Sequence, residues 1–367
     1  MTAGALSAAE RAEKAARVLG LMDAHELDTL VLRSPAGAAW WSGGGATHIV
    51  ATPEVGVADL VLIRDGSAVR TRVLTAVNEA PRLQTEELGG LDAEWTVLPW
   101  NSSTGAELPS GPRVGSDVPL PGCTDVAGAL TALRASLTAD EVTRAEALGC
   151  DAAEALTAAC SSLRPSDTEL HAAGVLAAAL LERAMDPVVL LVAGGDRLPV
   201  HRHPLPTGGP LGDLAMVVAC ARRHGLIVSL TRFVGTPSSE GADAFDRLLE
   251  VDAAVNLATR PGRSIGDVFT DLQAAYVAHG FSADEWTLHH QGGPAGYAPR
   301  DFLGEPGRPE LVADHQLFAW NPSARGAKSE DTVLAAPDGT RILTADPDWP
   351  TAREVRGLRR PLPLPYA

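Results

Sequence analysis

Lysine is almost missing from this chain of 367 residues: of its 30 basic side chains only Lys14 and Lys328 are lysines, and the rest are arginines. The two side chains are not physically interchangeable. A lysine kept in such a chain, away from an exposed N-terminal helix, therefore calls for a specific reason. Basic charge is also short, with a net charge of −16 at pH 7, which argues against nucleic acid or an anionic membrane as the main partner. The four cysteines (Cys123, Cys150, Cys160, Cys220) include no CxxC pair, so neither a disulfide framework nor a zinc knuckle is expected. No apolar run approaches the roughly 18–20 residues needed to cross a bilayer. Residues 1–17 alternate alanine with charged side chains and lack the apolar core of a signal peptide. Cytoplasmic residence is the resulting expectation.

What is present is ordinary for a globular protein: 45% hydrophobic and 21% charged residues, in a chain long enough for two domains. Hydrophobic periodicity predicts an opening helix over 6–25 and a buried strand over Thr29–Leu32 that breaks at Ser34-Pro35. Trp40-Trp41 reads as a strand end running into the Gly43–Gly45 turn. Further strands are expected at 48–52, 59–63 and 69–75, with loops over 99–122. A second domain, 137–367, should follow the first, 1–136. Its signals are capping boxes at Thr138/Glu141 and Ser166/Glu169, strands at 188–193, 214–220 and 226–234, and a helix over 265–279 stopping at Gly280. Residues 285–335 read as irregular, polar and rich in His, Gly and Trp.

Three clusters carry candidate chemistry. The first is Pro199-Val200-His201-Arg202-His203-Pro204. The second is Leu288-His289-His290-Gln291-Gly292-Gly293, followed by Tyr297 and Arg300. The third is Trp320-Asn321-Pro322, followed by Gly326-Ala327-Lys328-Ser329-Glu330-Asp331. Histidine is the side chain best placed for proton transfer near neutral pH, and neighbouring glycines let a ligand approach the backbone. The glycine pairs Gly194-Gly195 and Gly208-Gly209 match no nucleotide-binding fingerprint. A histidine beside glycines is most often a hydrogen-bonded loop residue. The four histidines also admit a single-metal site, but with no recognised ligand spacing.

The order of these motifs resembles the pita-bread fold of the creatinase, aminopeptidase P and prolidase superfamily. There a His precedes a "GD-(apolar)-D-x-G" strand and a "TR" pair; here His201 precedes Gly212-Asp213-Leu214 and Thr231-Arg232. The later family motifs "GHGIG", "EPG" and "G-x-R-x-ED" correspond to Leu288-His289-His290-Gln291-Gly292, Asn321-Pro322-Ser323 and Gly326-Ala327-Lys328-Ser329-Glu330-Asp331. The run Ala38-Ala39-Trp40-Trp41-Ser42-Gly43-Gly44 also resembles the first domain of creatinase and prolidase. The resemblance implies an α+β chain, with a creatinase-like α/β domain followed by a pita-bread domain.

The departures from the family pattern matter as much. Where the resemblance implies five metal ligands (Asp, Asp, His, Glu, Glu), this chain has Val218, Ser229, His289, Asn321 and Glu330. Two hard divalent cations need several carboxylate oxygens, so no metal and no other cofactor is expected. Creatinase has this fold and cleaves a C–N bond without metal. Its resemblance assigns catalytic roles to His201, His289 and Glu330 and a carboxylate-binding role to Arg300. Asn321, Lys328, His203, His290 and Tyr297 complete the expected substrate site. Thr231 departs from creatinase, which has a Glu there. Lys328 stands where the family has Arg, and an ammonium there would balance charge left by the missing metals.

These residues lead to an expected metal-independent hydrolase or lyase acting on a small carboxylate-bearing substrate. The creatinase resemblance further implies a homodimer, with Trp40 and Trp41 as candidates to line the partner's pocket and core packing as the expected role of at least one. The rival expectation is a non-catalytic protein that binds a ligand or partner. A third is a one-metal enzyme using His201, His203, His289 and Glu330.

Overall fold

Short caps and β-branched runs build the first elements in the computed structural model, which describes residues 6–366. Helix α1 (Ala8–Ala24) starts where Ser7 accepts a hydrogen bond from Glu10 N. The first strand, β1, occupies Thr29–Leu32 as expected. Trp40-Trp41 is not a strand end but lies in α2 (Pro35–Ser42). Ser34 caps that helix through Gly37 N, Pro35 sits in its first turn, and Gly43 at φ 79° ends it. Ser-Pro thus marks a helix start here as well as a strand stop. Strands β2 (Ala58–Asp65) and β3 (Ala68–Ala76) form a hairpin, and no strand forms at 48–52. The three-residue α3 (Ala80–Arg82), β4 (Ala93–Leu98), β5 (Val114–Ser116), β6 (Thr124–Asp125) and α4 (Ala127–Ala135) follow. The sheet order is β4-β3-β2-β1-β5-β6, with β5 parallel to β1. Strand β5 lies inside the expected loop because only three residues pair.

The chain divides into two compact units, Met1–Glu141 with His224–Leu226, and Val142–Arg223 with Ile227–Ala367. The chain passes between them within α5 (Ala139–Ser162). A reciprocal cap opens that helix: Thr138 N–H donates to Glu141 Oε2 (2.8 Å) and Glu141 N–H to Thr138 Oγ1 (3.3 Å). The cap of α6 (Glu169–Leu181) is Thr168, not Ser166. This frees Glu169 for another task described below.

The second unit contains a three-stranded sheet of β7 (Asp186–Gly194), β8 (Leu214–Arg223) and β9 (Leu226–Gly235). Helix α7 (Ser239–Ala258), absent from the sequence reading, begins at the Ser238 cap, and α8 (Ile265–Ala278) ends before Gly280 at φ 75°. The region expected to be irregular holds β10 (Gly292–Ala295), β11 (Gln316–Trp320) and β14 (Asp331–Ala336), joined by β15 (Gly339–Ile342) in one antiparallel sheet. Two small hairpins, β12 (Ser323–Ala324) with β13 (Ala327–Lys328) and β16 (Ala352–Val355) with β17 (Leu358–Pro361), complete it. Leu248, Leu249, Phe269, Leu272, Phe318 and Trp320 centre one continuous core. Among the described residues no helix is long and apolar enough to cross a membrane.

Candidate active site

Glu169 anchors the loop that carries the first histidine pair. Its buried carboxylate accepts from Gly194 N (2.9 Å), Thr207 N (2.8 Å) and Thr207 Oγ1 (2.7 Å), and pairs with Arg197. The two ends of the loop, at Gly194 and Thr207, are thereby held by one side chain. Arg202 then pairs with Glu285 (2.9 Å), tying the loop to the turn that leads into His289. The sequence pattern contained both Glu169 and Arg202 but offered no signal of these long-range partners.

Three imidazoles meet where those segments converge. His203 Nε2 lies 2.9 Å from His289 Nε2, and His289 Nδ1 lies 3.2 Å from Ser323 Oγ. His289 and His290 stack with ring centroids 4.5 Å apart, and His203 is 5.1 Å from His290. His201, expected as the proton shuttle, is not among the three rings that meet; like His203 it is exposed, and its backbone N–H donates to Arg197 O. Of the two, His203 is the one whose ring reaches His289 and His290.

Behind the cluster, Gln291 Nε2 donates to His289 O (2.6 Å) and Gln291 Oε1 accepts from Tyr276 Oη (2.7 Å). Tyr276 Oη in turn accepts from Ser323 N (2.8 Å). Gly292 has φ 89°, and a Cβ there would come within 2.1 Å of Ala319 O. Only glycine lets the His289-His290 segment enter β10 against β11. Ser323 and Tyr276 were not singled out from sequence. Ser323 sits in the quoted Asn-Pro-Ser motif, and Tyr276 looked like any apolar position of α8.

The charged half of the site is built on Glu330. Its Oε2 pairs with Lys328 Nζ (2.8 Å) and accepts from Thr231 Oγ1 (2.7 Å), while Oε1 pairs with Arg300 Nη2 (2.7 Å). Burial would raise this carboxyl, but Lys328 and Arg300 outweigh it and hold the group at about 2. Arg300, expected as a free carboxylate anchor, is committed to Glu330, to Ser229 Oγ (3.2 Å) and to Pro299 O (2.5 Å). This is a correction: the fork closes on the protein's own groups, with Nε buried and unpaired. Burial, with Lys328 next, pushes His289 down to about 2. Burial and Arg300 push His290 down to about 4, and burial and Lys328 lower His203. All three rings are therefore neutral near pH 7.

The remaining expected residues are buried but differently placed. Tyr297 lies in the turn after β10. Asn321 joins β11 to β12, donates its backbone N–H to Gln291 O (3.0 Å), and keeps Oδ1 without a hydrogen-bond partner. Trp40 and Trp41 are buried within their own unit, and Trp41 Nε1 donates to Thr71 Oγ1 (3.0 Å). Buried rings cannot line another molecule's pocket, so that expectation is corrected.

A pair of hard divalent cations does not fit these residues. Val218 packs in the apolar core, and Ser229 Oγ faces Cys220 Sγ (3.2 Å) and Arg300. The one carboxylate of the set, Glu330, has both oxygens engaged by cations and a hydroxyl. A guanidinium and an ammonium hold the carboxylate that a metal pair would require.

Comparisons with known proteins agree with this architecture. The metallopeptidase family M24 profile matches residues 145–337. No curated protein sequence matches the chain. Among solved structures, the prolidase from Pyrococcus horikoshii OT3 superposes with a TM-score of 0.76 at 14% identity, covering 94% of this chain and 100% of that one. Dipeptidase PepE from Mycobacterium ulcerans gives 0.75 at 16% identity, covering 94% and 98%. The N-terminal domain of the FACT complex subunit SPT16 from chickpea (Cicer arietinum) gives 0.66 at 14%, covering 92% and 96%. The two-unit fold is that of prolidases, and the chain belongs to metallopeptidase family M24.

Proposed function

We propose that this chain is a hydrolase, or a related lyase, that breaks a C–N bond in a small carboxylate-bearing substrate without the metal pair of its family. The carrying observation is the substitution of cations for cations: Lys328 and Arg300 both pair with Glu330, beside a hydrogen-bonded His203–His289 pair. A neutral His203 takes a proton from an attacking water and returns it to the leaving nitrogen. His289, held between His203 and Ser323 Oγ, orients that ring and shares its proton. Two cations set against one carboxylate leave an excess of positive charge, which favours an anionic substrate over a neutral peptide end.

The test is turnover after exhaustive chelation. Candidate ligands from a thermal-shift screen of small carboxylated amides and guanidino acids are assayed for nitrogen release, with metal content measured on the same sample. Chelator-resistant turnover supports the reading, and activity that returns only with added metal overturns it.

A second reading, a non-catalytic protein that binds a partner, draws on the loss of three ligand carboxylates at Val218, Ser229 and Asn321 and on the fold likeness to a subunit domain of the FACT complex. The hydrogen-bonded imidazole pair favours the enzyme, because a binding scaffold has no need of it.

A further inference from the structure

We propose that His203, His289 and His290 form a site for one transition-metal cation of the zinc, copper or nickel class, and that its occupancy blocks proton transfer; the second clause rests on the function proposed above. The site is separate in chemistry from the family's carboxylate-bridged pair. It offers three nitrogen donors and no carboxylate, a set that selects borderline cations over magnesium or calcium.

The geometry is close to what such an ion needs. The candidate ligand atoms of the three rings all lie within 4.8 Å of one another. Two nitrogens on a tetrahedral zinc sit about 3.3 Å apart, given bonds of about 2.0–2.1 Å. His203 Nε2 and His289 Nε2 are already at 2.9 Å, so a small opening of that pair admits an ion between them. His289 Nδ1 meets Ser323 Oγ at 3.2 Å, the outer hydrogen bond that fixes a metal-binding imidazole. His290 gives up only a long contact, Gly292 N to its Nδ1 at 3.3 Å. Three ligands leave a fourth position open. With Lys328 and Arg300 close by, that position takes an anion.

Occupancy uses the lone pairs that the proton transfer needs. A metal on His203 and His289 removes their mutual hydrogen bond and leaves no free basic nitrogen on His203. The ion is thus an inhibitor of this chain, although the fold belongs to a metallopeptidase family.

The experiment is a Co²⁺ titration of chelator-stripped full-length protein, followed by calorimetry and by the visible absorption of the bound ion. One Co²⁺ per chain is expected, with the spectrum of a low-coordinate nitrogen site and no comparable binding of Mg²⁺. His203→Ala and His290→Ala should each weaken binding by roughly 10–100-fold or more, and His201→Ala should bind like wild type. Absence of saturable binding up to about 1 mM overturns the site, a concentration corresponding to about 4 kcal/mol. Binding that survives both His203→Ala and His290→Ala overturns it equally. Once a substrate is in hand, Zn²⁺ should stop chelator-resistant turnover at the occupancy seen in the titration; full turnover of the loaded protein overturns the inhibitory clause alone. Saturable binding with no turnover of any candidate substrate supports the site and counts against the proposed function.

Discussion

The two lysines of this chain occupy buried sites of opposite character. Lys14, fully buried in the first unit, pairs with Glu10 (2.8 Å) and Glu141 (2.9 Å) and donates to Trp40 O (2.6 Å). Three acceptors meet the three donors of one ammonium, and its charge is more than balanced. The expectation of an exposed N-terminal helix fails here, because one face of α1 carries this ion cluster into the interior. Lys328, in the second unit, shares a single carboxylate with Arg300 and lies within electrostatic reach of three imidazoles. One site is closed and satisfied; the other keeps positive charge in excess. Equal burial therefore marks a structural role in one place and a chemical role in the other, and charge balance separates them.

The largest expected effect lies beside Lys328. His203→Ala should lower kcat by roughly 10²–10⁴-fold, while His201→Ala stays within about twofold of wild type. His203 is exposed, so the variant should fold, which circular dichroism and thermal melting would verify. Equal losses in the two variants would dissolve the distinction between them and return the shuttle to His201.

Next in size is the closed site. Lys14→Met takes the ammonium away from two buried carboxylates, and denaturant unfolding should show a loss of about 3–5 kcal/mol. Whatever fraction remains folded should turn over substrate at the wild-type rate. A change in kcat per folded molecule would break the comparison, since Lys14 would then influence chemistry it does not touch.

Acid sharpens the contrast further. The Glu330 carboxyl sits at about 2 in the folded chain against an ordinary 4.5. Between those values the unfolded chain binds more protons than the native one, so stability rises with pH across that window. The contribution is complete above about 4.5 and gone near 2, and is on the order of 3 kcal/mol. Glu330→Gln cannot gain it. The stability gap between wild type and Glu330→Gln should therefore narrow as pH falls from 4.5 towards 2, and a gap independent of pH would contradict the ion triad.

Local signals made much of the fold legible. The Thr138/Glu141 box, the β-branched run of β1, and the Gly280 stop each act within a few residues, and each stands where its pattern placed it. The Trp40-Trp41 helix was misread because Ser-Pro serves two kinds of boundary, and α7 because its Gly- and Asp-bearing first turn hides an apolar face. At the site, sequence order supplied His289, Lys328 and Glu330 but not their partners. His203 and His201 are two positions apart in one turn, and no local pattern distinguishes the one whose ring meets His289. The closure of Arg300 on Glu330 likewise joins residues 30 positions apart, beyond the reach of any local pattern.

Lys328→Arg tests the comparison most finely, since it keeps the charge and restores the residue usual in the resembled family. The ammonium is a compact charge that reaches Glu330 Oε2 at 2.8 Å, an oxygen also used by Thr231. Arg300 already covers the other oxygen with one planar fork. A second fork has to displace Thr231 or push towards the imidazoles from a residue that is only 5% exposed, and overpacking of this kind typically costs about 1–3 kcal/mol. The variant should fold with slightly reduced stability and lose roughly tenfold in kcat/KM, about 1.4 kcal/mol of transition-state stabilisation. Its pH–rate profile should shift as well, because the charge that adds to burial in depressing His203 and His289 is moved. Full activity with an unchanged profile would show that any cation suffices at this position, and Lys328 would then be no more specific to the chemistry than Lys14.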